Sequence, residues 1–134
     1  MIAEIQITVL CDNHGQGELQ TEHGFALWLH SPELNLLFDT GSGQTLLANA
    51  ERLDIQLNDC KMVVLSHGHY DHSGGLDTLW QMGVQCPVMA HPSVILPRYS
   101  RHPQKPVRSI GMPTSVVTQL WDLPPQMRLC CPSS

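Results

Sequence analysis

A chain of 134 residues favours one domain and is long enough to bury a core. Apolar residues at 42% and charged residues at 14% exclude a disordered chain. A formal charge of −5 with only seven basic residues argues against a nucleic-acid partner, because phosphate binding needs clustered Lys and Arg. No apolar run approaches the roughly 20 residues that span a bilayer, so no membrane contact is expected.

In chain order, the start Met1-Ile2-Ala3-Glu4 lacks a basic segment and an apolar block, so it does not read as a secretory signal. Ile5, Ile7 and Val9 alternate with polar residues at the period of a half-buried strand. The turn formers from Asp12 to Gly17 end it. A second strand is expected over Phe25 to His30, and a third over Leu36 to Phe38, joined as an antiparallel meander. Leu46, Leu47, Ala50 and Leu53 recur at helical spacing, which predicts a helix over Gln44 to Leu53. Met62-Val63-Val64-Leu65 is a continuous apolar run, as in a strand buried on both faces.

That strand runs into Ser66-His67-Gly68-His69-Tyr70-Asp71-His72. A helix is expected from Ser73, carrying Leu76, Leu79 and Trp80 on one side and stopped by Gly83. Pro87 to Ala90 reads as another strand, and His91-Pro92 as a loop or helix entry. Beyond Pro97 the pattern dissolves, with room for a strand near Val116-Val117-Thr118 and little else; the last five residues carry no terminating element. Arg98, Arg101, Lys105 and Arg108 crowd one stretch, read as a solvated loop that could also greet an anionic group. The five cysteines are odd in number, scattered and without a CxxC pair. A disulfide framework is therefore not expected; Cys11, Cys60 and Cys86 read as small core residues in a reducing cytoplasm.

His67, His69, Asp71 and His72 are four metal-ligand types in one short loop. Neutral imidazoles with a carboxylate suit zinc. Gly68 is read as the residue that lets the backbone pass between the first two histidines without a Cβ meeting the metal. The helix from Ser73 is expected to aim its N-terminus toward the site, favouring an anion there.

The HxHxDH pattern of His67 to His72 resembles the signature of the metallo-β-lactamase superfamily. Phe38-Asp39-Thr40-Gly41 is similar to a second feature of that family. The resemblance implies an α/β fold, an αβ/βα sandwich, with Asp39 supporting the metal loop by hydrogen bonds. It implies two zinc ions in a complete site, manganese or iron remaining open: His67 and His69 on the first, Asp71 and His72 on the second, with Asp71 also orienting the nucleophile. More narrowly, Glu22-His23-Gly24-Phe25, the run from His67 to Leu76, His91-Pro92 and Ser109-Ile110-Gly111 resemble a branch that includes dihydropterin-ribofuranosylaminobenzene phosphate synthases and uncharacterised metallo-hydrolases. His69 stands where oxygen-reducing diiron relatives carry Glu, which favours hydrolysis.

The later histidines and the bridging aspartate that the resemblance calls for have no counterpart. Nothing after His102 is a histidine, and Asp122 sits in a segment unlike the family's. His91 reads as a hydrogen-bonded strand-end residue, His102 as part of the basic stretch. His14, His23 and His30 are read as surface or supporting residues, with His23 able to line the cleft. Residues 1–118 are therefore expected to form about the N-terminal half of such a domain, and 119–134 an atypical tail. An isolated half leaves one sheet face uncovered, so self-association to complete the fold is a further expectation. Three functions stand open: a zinc hydrolase of a small molecule such as a phosphate ester or a cyclic ester or amide; a synthase-like biosynthetic enzyme; and an inactive metal-binding remnant.

Overall fold

The computed structural model describes residues 4–14 and 17–130. Six strands form one sheet: β1 (Gln6–Cys11), β2 (Ala26–His30), β3 (Asn35–Phe38), β4 (Met62–Val64), β5 (Val88–Ala90) and, at the far edge, a strand over Arg128–Cys130. The first three are antiparallel, a meander as the alternation and turn residues require. From β3 onward every neighbour is parallel, because helices make the crossovers. Helix α1 (Leu46–Arg52) links β3 to β4, and α2 (Tyr70–Ser73) with α3 (Gly75–Gln81) links β4 to β5. Leu46 and Ala50 of α1 and Leu76 and Leu79 of α3 are buried and face the sheet, whereas Leu47 and Leu53 of the expected α1 stripe are exposed.

Three parts differ from expectation. β1 is a strand, but Ile7 and Val9 are exposed at 63% and 44%, so its apolar side is not half-buried. Tyr99–His102 and Lys105–Ser109, where no element was expected, pair as the antiparallel hairpin β6–β7. The strand expected near Val116 is instead a helix, α4 (Thr114–Asp122). Pro113 stands at its N-cap, and Val116 and Leu120 share its buried face. Tertiary burial at i, i+4 outweighs the strand preference of two valines and a threonine. α4 also runs through the point after residue 118 where the tail was expected to begin. The edge strand beyond it, β8 (Arg128–Cys130), pairs in parallel with β5; residues 131–134, like 1–3 and 15–16, lie outside the described residues.

The register sorts the sheet into two faces. Trp28, Leu37, Val63 and Val88 lie side by side and are buried beneath the helices. The opposite face carries Ile7 and Val9, Leu27 and Leu29, Leu36 and Phe38, Met62 and Val64, Met89 and Leu129. No charged residue interrupts that series, and all ten are exposed or half-buried. Among the described residues, no second layer covers it.

Candidate metal centre

The histidine–aspartate segment leaves β4 at its carboxyl end. Leu65 is still tied to the sheet, its N–H donating to Met89 O at 2.9 Å. The chain turns through Ser66 to His69 and enters α2 at Tyr70, so Asp71 and His72 stand on a helical turn rather than in an open loop. The helix expected from Ser73 therefore begins earlier, and only Gly74 separates its two pieces. Ser73 is fully buried, and its hydroxyl donates to the carbonyls of Gly68 (3.2 Å) and His69 (3.0 Å).

Asp39 is the hub of this arrangement. It follows β3 with a left-handed backbone, φ 58°, and is buried. Its Oδ1 accepts from the Ser66 N–H at 2.7 Å; its Oδ2 accepts from the Ser66 hydroxyl and lies 2.9 Å from His72 Nδ1. An ionised carboxylate can only accept, so His72 Nδ1 bears the hydrogen and Nε2 is left to face the cluster. This hydrogen bond holds the His72 imidazole above its ordinary pKa despite burial. Thr40 clamps the same residue from behind, its N–H and hydroxyl both 2.8 Å from His72 O.

The three imidazoles converge. His67 and His72 have ring centroids 4.1 Å apart, and His67 and His69 4.5 Å. Burial, then the charges His72 and His69 would carry, push His67 below its ordinary pKa, which favours its neutral, ligating form. The backbone N–H of His69 donates to His67 Nδ1 at 3.2 Å. Asp71 Oδ2 lies 3.7 Å from His72 Nε2 and 3.1 Å from His23 Nε2. The structure thus brings His67, His69, Asp71, His72 and Asp39 together. Among the described residues, however, no group of three or more His, Cys, Asp or Glu closes around a common point for an ion. Three imidazoles, a carboxylate and an oriented tautomer fit the donor chemistry of zinc as part of a site, not as a whole one.

Two supports were not legible in the motif itself. Glu22 pins the turn after Asp39: it accepts from Ser42 N–H at 3.1 Å and Ser42 Oγ at 2.6 Å, and from Cys11 Sγ at 2.9 Å. Gly24 passes so close to α2 that a Cβ there would meet Asp71 O at 2.5 Å. Their signal was the Glu22-His23-Gly24 run, whose docking partner only the fold reveals. Gly68 has a reason beyond the one expected: its Cβ would meet Val94 O at 1.9 Å, so the 3-10 turn Pro92–Ile95 by itself excludes a side chain there. Ile110 O accepts from Tyr70 N–H at 3.1 Å, tying the base of the β6–β7 hairpin to the histidine segment.

The other histidines stand apart. His91 caps the Pro92–Ile95 turn, its Nδ1 accepting from Ser93 N–H at 3.1 Å. His102 accepts from Gln104 N–H in the hairpin, and His30 pairs with Asn35. His14 is exposed.

A mixed sheet with helices on one face and a histidine–aspartate cluster at the carboxyl ends of its strands defines a mixed α/β protein with a candidate metal centre. A family model described as the metallo-beta-lactamase superfamily matches residues 20–124, and the chain belongs to that superfamily. It is similar to an uncharacterized protein of Methanocaldococcus jannaschii, 32% identical over 95 residues, which are 70% of this chain and 37% of that one. It is also similar to the 7,8-dihydropterin-6-methyl-4-(beta-D-ribofuranosyl)-aminobenzene-5'-phosphate synthase of the same organism, 25% identical over 111 residues, 77% of this chain and 38% of that one. Among solved structures, a metal-dependent hydrolase of the beta-lactamase superfamily superposes with a TM-score of 0.68 and 30% identity, covering 98% of this chain and 43% of the other. The chain thus spans well under half the length of these relatives. No helix among the described residues is long and apolar enough to cross a membrane.

Proposed function

We propose that the chain supplies the histidine–aspartate half of a zinc-dependent hydrolase site, acting on a small molecule in the cytoplasm. The observation that carries this reading is the Asp39–His72 contact at 2.9 Å, which fixes a ligating tautomer beside two further imidazoles. His67 and His69 would hold one ion, Asp71 and His72 a second. When bound, such ions supply Lewis acidity and lower the pKa of water. The chain's own part is positional: Asp39 fixes the His72 ring, Ser73 holds the backbone turn, and Asp71 presents a carboxylate toward the reacting centre. The remaining ligands would come from further polypeptide, including a second copy associated through the uncovered sheet face.

A synthase-like reading has a specific observation in its favour, the similarity to the dihydropterin enzyme together with the basic residues on a hairpin whose base is tied to Tyr70. Such an enzyme would take an aromatic, phosphorylated substrate. The test is metal content of the purified chain, followed by hydrolysis of a phosphodiester and lactone panel and by assay with a pterin-type substrate. At least one tightly held zinc per chain and turnover on the panel is the expected result. Less than one zinc with no turnover would overturn both enzyme readings and leave a metal-binding remnant.

A further inference from the structure

Two buried thiols stand outside the site proposed above. Cys60 ends the 3-10 turn Leu57–Asp59 just before β4, and Cys86 lies just before β5. These strands are parallel neighbours, and Val63 N–H donates to Pro87 O at 2.9 Å. Adjacent strands run about 4.8 Å apart, so the segments leading into them are close neighbours. The outcome here is a pair of sulfurs 4.0 Å apart, with the Cys86 thiol donating to Cys60. Bond formation needs the sulfurs to approach by about 2 Å.

Access and reactivity differ between the two. Cys86, though buried, lines a cleft of about 530 Å³ with Trp80, Gln119, Leu123 and Met127, the side from which a small reagent would approach it. Cys60 does not line that cleft and accepts the Cys86 hydrogen bond, which holds the Cys60 thiol below its ordinary pKa; that same bond, then burial, pushes Cys86 up. The reachable sulfur is thus slow to ionise, and the hidden one is the better nucleophile once an adduct has formed.

We propose that Cys60 and Cys86 form a reversible intrachain disulfide, tying the start of β4 to the start of β5, on exposure to a low-molecular-weight disulfide such as oxidised glutathione. In the first exchange the Cys86 sulfur attacks the reagent's S–S bond, giving a mixed disulfide and releasing one thiol. The Cys60 sulfur then attacks Cys86, the mixed disulfide breaks, and the second thiol leaves. Two electrons and two protons pass from the protein to the reagent, which is reduced to two thiols. The staple closes at the opposite end of β4 from His67, so it acts on the strand that carries the histidine segment without touching that segment.

The experiment treats the folded full chain with oxidised glutathione, blocks remaining thiols, and digests with trypsin, which cleaves after Lys61 between the two cysteines. The expected product is peptide 53–61 joined to peptide 62–98, released by reductant. Cys60→Ser is expected to trap glutathione on Cys86, while Cys86→Ser leaves Cys60 free. Recovery of the two wild-type peptides unjoined, or of either one joined instead to Cys11, Cys130 or Cys131, overturns the proposal. The wild-type digest decides the matter even if a variant fails to fold.

Discussion

Asp39 gathers the Ser66 N–H, the Ser66 hydroxyl and His72 Nδ1 on one buried carboxylate. Asp39→Asn keeps a residue that tolerates the left-handed backbone, so strain is not the issue. It replaces the Oδ2 acceptor by an amide nitrogen, which can only donate, so the Ser66 hydroxyl must reverse its role and His72 must take the opposite tautomer, with Nε2 protonated. Stability is expected to fall by about 1–3 kcal/mol in urea unfolding of the metal-free chain. On the proposed function, zinc affinity should also fall by about 10- to 100-fold in a chelator competition. Cys11 offers a second residue-scale test. Burial, then the hydrogen bond to Glu22, raises its thiol from 9.0 to about 12. Between those values the folded thiol keeps a proton that the unfolded one has lost, so stability should fall as pH rises from 9 toward 12. Alkylation of native Cys11 should accordingly lag far behind that of exposed Cys130, read by mass spectrometry of the tryptic peptides. Comparable rates would contradict it. At this scale the ligand types and Asp39 were legible because they are close in sequence. The His23–Asp71 approach and the Glu22 pin were not, because each depends on strands brought together from distant positions.

Between elements, close packing sets the constraints. The Pro92–Ile95 turn lies against the histidine segment so tightly that Gly68 has no room for a methyl group. Gly68→Ala must push the turn and the segment apart, at a cost of about 1–3 kcal/mol. Thermal unfolding and the ring resonances of His67 and His69 should both respond; an unchanged midpoint would mean that the turn gives way freely. α3, and in part α1 and β4, were readable in advance: Leu46, Ala50, Val63, Leu76 and Leu79 set the apolar pattern and enter the core. Leu47 and Leu53 are exposed, and Met62 and Val64 lie on the uncovered face, so β4 is not buried on both sides as expected. α4 was not readable. Its Val116-Val117-Thr118 run carries strand preference locally, and only the burial of Val116 with Leu120 reveals a helix. The β6–β7 hairpin escaped for the opposite reason: its strands are almost wholly exposed and leave no hydrophobic signature.

Across the whole molecule, the half-sandwich that the sequence led one to expect has a concrete form. Helices cover one face of the sheet, and the other presents ten apolar side chains with no charge among them. A contiguous surface of this kind, reaching from the β1 edge to β8, is not what a lone monomer tolerates in water. The relatives that this chain matches are about twice its length, which is consistent with polypeptide lying against this face in a complete fold. Without it, the chain is expected to associate with itself. Sedimentation velocity should show an average size that rises with concentration, and a hydrophobic dye such as anilinonaphthalene sulfonate should bind and brighten. Ile7 and Val9 are the places to intervene, because both are exposed already and lie on an edge strand. Replacing both with Lys removes apolar surface without opening the core, and charges on an edge oppose strand-to-strand association. The double variant should keep the far-ultraviolet dichroism of the parent and sediment at a smaller average size. A parent chain that stays monomeric at every concentration and leaves the dye dark would mean that the face is covered by its own residues, and would remove the reason to look for a partner there.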